Sequence, residues 1–320
     1  MVLRKKKAEQ LKRPGLVGVT IRPEGIALAH VTRKAGLRLE AYQFRACKDP
    51  HEAPAVLKAA VQELDLASTA TVYVLDHNTY EMFLVEEPKV KAEELALAMR
   101  WRIKDYLEYP LEEAIIDFIQ VPPDGRADKM NMAYVLGAKK EFVDRQSEMV
   151  LQAGLDLQVV DGIEFAIRNI AQELFKEGPR AILHLDKARS QLLMMGGLKL
   201  YMMRYLEVDL TPLYSPDLGD DDLKRRLYAE LGQEIQRSLD YCVGNLYQHR
   251  PIELLCAPLE YDTPELVESL SEGLGIPVRY FDFTTFMTCK TPPGQAQQYR
   301  CLAAIGGALR QDTLAYETTY

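Results

Sequence analysis

The sequence predicts a two-lobed α/β protein in which one supersecondary unit occurs twice, with a small α+β subdomain set into the first copy. Three observations carry this. Three consecutive strand-like runs open the chain, and three more follow residue 180. Each trio leads into a helix, a β-rich run and another helix. Between the copies, residues 88–158 read as helix, strand, strand, helix.

In the first copy the strands are 16–21, 25–31 and 37–44, followed by the helix APAVLKAAVQEL (53–64) and the strand TVYVLD (71–76). The insert opens at Pro88 with the helix KAEELALAMRWRIKDYLEY (91–109). The strand AIIDFIQV (114–121), a Pro-Pro-Asp-Gly turn (122–125), the strand NMAYVLGAK (131–139) and the helix KEFVDRQSEMVLQAGL (140–155) complete it. The chain returns through LQVVDGI to the helix EFAIRNIAQELF (164–175) of the first lobe. The second trio is 181–186, 190–195 and 198–208, with Asp186-Lys187 and Gly196-Gly197 at the turns. Leu223, Leu227, Leu231, Ile235 and Leu239 recur every fourth residue, so 222–248 is a long helix with one face on a core. The strand IELLCA (252–257), the helix 264–275 ended by Gly275, the strand PVRYFDF (277–283) and a small-residue helix at 302–310 close the lobe. The division is therefore 16–87 plus 159–179 for the first lobe, 88–158 for the insert and 180–310 for the second lobe. Tails occupy 1–15 and 311–320.

At 320 residues the chain is long enough for two ordinary cores, and 48% hydrophobic with 27% charged residues is the composition of a soluble globular protein. No apolar run reaches the roughly 18 residues that span a bilayer, and no apolar region follows the N-terminal positive charges as in a secretory signal. The expected location is the cytoplasm. Cys47, Cys242, Cys256, Cys289 and Cys301 are widely spaced, with no zinc pattern, so a reduced, metal-free protein is expected. A net charge of -8 argues against nucleic acid as a partner. The stretch VLRKKKAEQLKRPG is the basic exception. It reads either as a solvated tail or as a weak anchor on an anionic membrane, worth about 1 kcal/mol per basic residue near the surface.

The segments EELALAMRWRIKDYLEYPLEEAIIDF, AYVLGAKKEFVDRQSEMVLQAGLDLQVVDGIEFAIRNIA and EIQRSLDY together resemble the MSHA-type (MshI) branch of the PilM family of type IV pilus biogenesis proteins. The resemblance covers roughly residues 16–310. It implies an actin-like, ribonuclease H-like fold of the FtsA kind, with a subdomain inserted in the first lobe. It further implies a protein at the cytoplasmic face of the inner membrane. Its partner would be the short cytoplasmic N-terminal tail of a PilN-like single-pass membrane protein. PilM-like members can bind ATP between the lobes, so ATP with Mg is the alternative to having no cofactor.

The phosphate hairpins test that alternative. An ATP-binding relative opens with Gly-hydrophobic-Asp-hydrophobic-Gly, whose Asp orients Mg²⁺ or water and whose second Gly lets backbone N–H groups reach the phosphates. Here Gly18 is followed by Thr20 at the Asp position and Arg22 at the second Gly position, then Pro23, Glu24 and, in place of a Lys, Ala27. In the second hairpin His184 holds the Asp position and Asp186 the Gly position. Cys256-Ala257-Pro258 stands where a Gly pair borders adenosine. Gly306 and Gly307 remain in the last helix, where a Gly pair also serves close packing. The expectation is a degenerate site and no hydrolysis.

No other motif suggests catalysis. Asp161 and Glu164 read either as an acid/base couple or as acids dressing a helix N-terminus. Asp117 is expected to face outward from its strand. His30, His51, His77, His184 and His249 share no spacing. In the insert's first helix, Leu95, Met99, Ile103 and Tyr106 form one stripe at 100° per residue, while Leu97 and Trp101 fall on nearly the opposite side. Either the helix is sandwiched, or its second side, with Leu97, Trp101, Tyr106 and Tyr109, lines a groove for a partner's tail. Head-to-tail self-association is a further expectation for a relative of actin.

Overall fold

The computed structural model describes residues 14–123, 130–175, 177–187, 189–214, 221–246, 249–261 and 263–311. Residues 1–13 of the basic tail, the tail from 312 onward and the Asp124-Gly125 half of the turn at 122–125 lie outside the described residues.

Two compact units divide the chain. The first holds Met1–Val121, Arg126–Asn169 and Cys301–Tyr320, and the second Pro122–Gly125 and Ile170–Arg300. In the first unit, strands β1 (Leu16–Arg22), β2 (Gly25–Thr32) and β3 (Arg38–Ala46) form an antiparallel meander. Helix α1 (Ala53–Glu63) leads to β4 (Ala70–Leu75), which returns parallel to β1. Strand β5 (Tyr80–Glu86), helix α2 (Ala92–Arg102), β6 (Ala114–Gln120) and β7 (Met132–Lys139) follow. Helix α3 (Lys140–Gln152) then leads to β8 (Asp156–Gly162), which pairs parallel with β4, and into α4 (Ile163–Leu174). These five strands lie side by side in the order β3-β2-β1-β4-β8.

The second unit repeats it. Strands β9 (Pro179–His184), β10 (Ser190–Gly196) and β11 (Lys199–Leu206) form a meander, and helix α5 (Asp221–Asn245) packs over β10 and β11. Strand β12 (Leu254–Cys256), helix α6 (Pro264–Leu274) and β13 (Val278–Tyr280) follow, before the final helix α7 (Gln295–Ala308). The order β11-β10-β9-β12-β13 is that of the five strands β3-β2-β1-β4-β8, with the same succession of antiparallel and parallel pairs.

Local chemistry explains the elements. Val17 and Val19 are fully buried on one face of β1, and Leu57, Ala60 and Val61 of α1 complete that core. Leu227, Leu231, Ile235 and Leu239 bury the predicted stripe of α5. The backbone of α7 comes very close to those of α4 and β1. A Cβ on Gly306 would lie 2.4 Å from the Ala166 carbonyl oxygen, and one on Gly18 would lie 1.8 Å from that of Ala304. The C-terminal half of α7 can lie against β1 and α4 only because both positions lack a side chain.

Several expectations need correction. The segment LQVVDGI is the core strand β8 rather than a connection, because Val159 and Val160 bury both faces between β4 and its helices. Strand β5 carries no sequence expectation at all, since only a short 3₁₀ turn, His77–Thr79, separates it from β4. Helix α3, placed by sequence in the insert, shares the core of the first sheet: Val143 and Val150 pack with Leu57 and Val160. Helix α2 ends at Arg102, not at 109, because Ile103 leaves helical geometry (φ -101°, ψ 1°) before a 3₁₀ turn at Lys104–Tyr106. Helix α7 begins at Gln295 rather than 302; Pro292 and Pro293 stop the preceding chain, and its polar first turns gave no apolar signal.

The insert is a three-stranded antiparallel sheet, β5-β7-β6, with α2 on one face. Met99 and Ile103 are its fully buried anchors, against Val85, Ala133 and Val135. Each contributes about 1.5–3 kcal/mol of apolar burial.

Candidate functional site

The β1–β2 hairpin side chains are committed to one another. Thr20 is buried, and its hydroxyl donates to the Val74 carbonyl at 3.0 Å, tying β1 to β4. The Arg22 guanidinium lies 3.0 Å from a Glu24 carboxylate oxygen and 3.5 Å from one of Asp76. An arginine held between two carboxylates has little charge left for a phosphate. Asp76, 4% exposed at the end of β4, is a charged member of this group that sequence reasoning missed. Its only signal was an acid closing an apolar strand.

The β9–β10 hairpin is filled in its own way. His184 is buried, with Nδ1 3.3 Å from Gln191 Nε2 and Nε2 4.0 Å from Asp186 Oδ2. The Asp186 N–H donates to Ser190 Oγ at 3.2 Å, so the amide that a glycine loop would turn to a phosphate closes the hairpin instead. At the rim, Lys187 Nζ and Arg300 Nη2 donate to Glu260 at 3.1 and 2.6 Å. Burial alone would raise the Glu260 carboxyl; the bonds from Arg300 and Lys187 outweigh it and hold it below the ordinary range. Thr20 and His184, rather than acids, therefore stand at the two positions where the resemblance calls for a metal-orienting Asp. Gly307 is also closely packed, against a side chain: a Cβ there would meet Val74 Cγ2 at 2.6 Å. Among the described residues, no group of three or more His, Cys, Asp or Glu could hold a metal ion.

Glu164 lies in the first turn of α4, as the helix-terminus reading of Asp161 and Glu164 expects, and both acids are buried. Glu164 is fully buried, accepts the Tyr80 hydroxyl proton and lies 3.5 Å from His77 Nδ1; the Ile163 N–H donates to Tyr80 Oη at 3.1 Å. Asp161 is also buried, in an ion pair with Arg310. Tyr80 opens β5 and Glu164 opens α4, so this cluster joins the inserted sheet to the helix beneath it. Tyr80→Phe should cost about 1–3 kcal/mol, because a buried carboxylate loses one hydrogen-bond donor. The urea midpoint should fall with an unchanged slope; an unchanged midpoint contradicts the assignment.

The surface of the insert is different. Of the ten large hydrophobic residues exposed among the described residues, Val90, Leu97, Trp101, Tyr106 and Met130 lie here. Trp101 is 57% and Leu97 61% exposed, one helical turn apart on α2, so the helix is not sandwiched. Tyr106, expected beside Met99 and Ile103, is 60% exposed because the 3₁₀ turn rotates it outward, where its ring meets Phe83 at 5.4 Å. Tyr109 is half-buried beyond the helix, with Lys139 Nζ 5.3 Å from its ring centre. Burial, aided by Glu81, pushes its hydroxyl up to about 12. Leu97, Trp101 and Tyr106 are therefore exposed, whereas Tyr109 is half-buried. At the start of α2 a cavity of about 430 Å³ is lined by Glu86, Glu87, Pro88, Val90, Leu95 and Met130, among others.

Two sheets that share a five-strand order, each a meander followed by parallel strands, define the actin-like α/β fold. The family model described as type IV pilus assembly protein PilM matches residues 34–186, and that segment is PilM-like. A PilM-PilN type IV pilus biogenesis complex superposes with a TM-score of 0.69 at 20% identity, covering 93% of this chain and 98% of that chain. The cytoplasmic domain of EpsL, an inner-membrane component of the type II secretion system of Vibrio cholerae, gives 0.48 at 11% identity, over 93% and 98%. A Bacteroides thetaiotaomicron protein with an actin-like ATPase fold gives 0.49 at 10%, over 90% and 95%. No curated protein matches the sequence. Among the described residues, no helix is long and apolar enough to cross a membrane.

Proposed function

We propose that this protein is a non-catalytic adaptor of type IV pilus biogenesis, of the MSHA (MshI) type. It docks the short N-terminal cytoplasmic tail of a PilN-like single-pass protein at the inner membrane. The observation that carries this reading is the exposed Leu97–Trp101 pair on α2, in a subdomain that holds half of the chain's described exposed large hydrophobics. Trp concentrates binding energy, and a helix with a buried anchor face behind it presents such a residue rigidly. The committed side chains of both phosphate hairpins support a role without hydrolysis. The basic N-terminal stretch would add a weak attraction to anionic lipid.

A second reading is an ATP-binding assembly protein whose nucleotide state gates partner affinity. The feature that favours it is the Lys187 and Arg300 pair beside the β9–β10 hairpin, both partly exposed cations. Calorimetric titration with a peptide of the partner's tail, with and without Mg-ATP, separates the two.

A further inference from the structure

We propose that the partner's tail binds as an added β-strand along the outer edge of β5, and that it carries Lys or Arg beside its apolar residues. The inference rests on the tail-docking reading and specifies its mode. Strand β5 ends its sheet: it pairs with β7 on one side, in a register unbroken from Tyr80↔Ala138 to Glu86↔Met132, and among the described residues no strand covers the other side. Edge strands are usually blunted by Lys, Pro or a bulge. Tyr-Glu-Met-Phe-Leu-Val-Glu has none of these over seven residues. An open edge of this kind supplies main-chain hydrogen bonds, and flanking side chains supply selectivity.

Helix α2 furnishes the flank. Arg102 reaches Glu86 at 3.8 Å and Tyr106 meets Phe83, so the exposed aromatic surface borders this strand. The cavity lined by Glu86 and Glu87 opens where the strand ends. The charges select the occupant. The cations of α2 and its following turn are used internally: Arg100 donates to the Leu111 carbonyl at 3.1 Å, Arg102 pairs with Glu86, and Lys104 lies 5.5 Å from the Trp101 ring centre. The side chains of Glu93, Glu94, Asp105 and Glu108 have no hydrogen bond or ion pair among the described residues. A cationic strand complements them, and cytoplasmic segments flanking a membrane span carry an excess of Lys and Arg.

The test titrates the full chain with a synthetic peptide of the partner's cytoplasmic tail and with two copies N-methylated at alternate residues. In a strand, alternate N–H groups face the same neighbour. One methylated copy should therefore bind at least about tenfold more weakly, while the other stays within about twofold of the parent. Equal behaviour of the two copies, whether both bind or both fail, overturns strand addition while leaving the docking reading intact. Failure of the unmodified peptide to bind overturns both. The charge argument has its own arm: Glu93→Lys with Glu94→Lys should weaken capture and flatten its salt dependence, and unchanged affinity contradicts a basic occupant.

Discussion

Replacing Trp101 with alanine should abolish the proposed capture of the partner's tail and leave the fold intact. The indole is 57% exposed, and the anchoring of α2 is done by Met99 and Ile103 on its opposite side. Truncating a surface residue away from the core changes stability by roughly 0.5 kcal/mol or less. An aromatic residue at the centre of an interface costs about 2–4 kcal/mol when truncated, or roughly 30-fold to 1,000-fold in affinity. The two readouts are therefore expected to separate: peptide binding falls by at least about 30-fold while the thermal midpoint barely moves. If the variant binds as the parent does, the surface on α2 is not the docking site. If it fails to fold, the ring supports the core and the exposure argument fails with it.

The second large effect concerns stability. Gly18→Val should prevent accumulation of folded protein or lower its thermal midpoint sharply. A Cβ at this position would sit 1.8 Å from the Ala304 carbonyl oxygen and 2.8 Å from the Ala308 nitrogen, and both are backbone atoms of α7 that no rotamer change can move away. The helix would have to lift from β1. That shift also strains the Asn169 Nδ2 donation to the Gly306 carbonyl at 3.0 Å and the Arg33 donation to the Leu309 carbonyl at 2.9 Å. Overpacking of this kind costs about 3 kcal/mol or more, roughly a 6–12 °C loss in midpoint for a chain of this order. Gly273→Ala is the matched control: nothing lies within 4 Å of its added carbon on α6, so the change should be neutral or mildly stabilising. An equal effect of the two substitutions would contradict the packing role assigned to Gly18.

The glycines at 18, 306 and 307 also show why a motif can be legible while its purpose is not. In sequence they look like remnants of a nucleotide loop. In the fold Gly18 and Gly306 are sites of close backbone approach and Gly307 lies against the Val74 side chain, requirements that need no phosphate. The duplicated order of elements was readable because alternation in the β1–β2 and β9–β10 hairpins is strong and the leucine stripe of α5 is regular. Strand β8 was not, because Asp156 and Gln158 interrupt its apolar run and its strand character comes from pairing with β4, more than eighty residues away. The same distance hides the buried acids. Nothing near Glu164 in sequence indicates that Tyr80 will satisfy it, and nothing near Asp161 points to Arg310. On α2 the 100° rule separated Leu97 and Trp101 from Met99 and Ile103 correctly. It misplaced Tyr106, because the rule holds only while the helix lasts and Ile103 ends it.

In the proposed function, partner capture runs through the inserted subdomain and owes nothing to a nucleotide. Calorimetry on the full chain with the tail peptide, in nucleotide-free buffer and again in excess Mg-ATP, addresses it in one experiment. Equal affinities in the two buffers, with no heat from Mg-ATP alone, are the predicted result. A peptide affinity that changes severalfold with Mg-ATP would contradict it, because a ligand can shift a second equilibrium only by binding the protein itself.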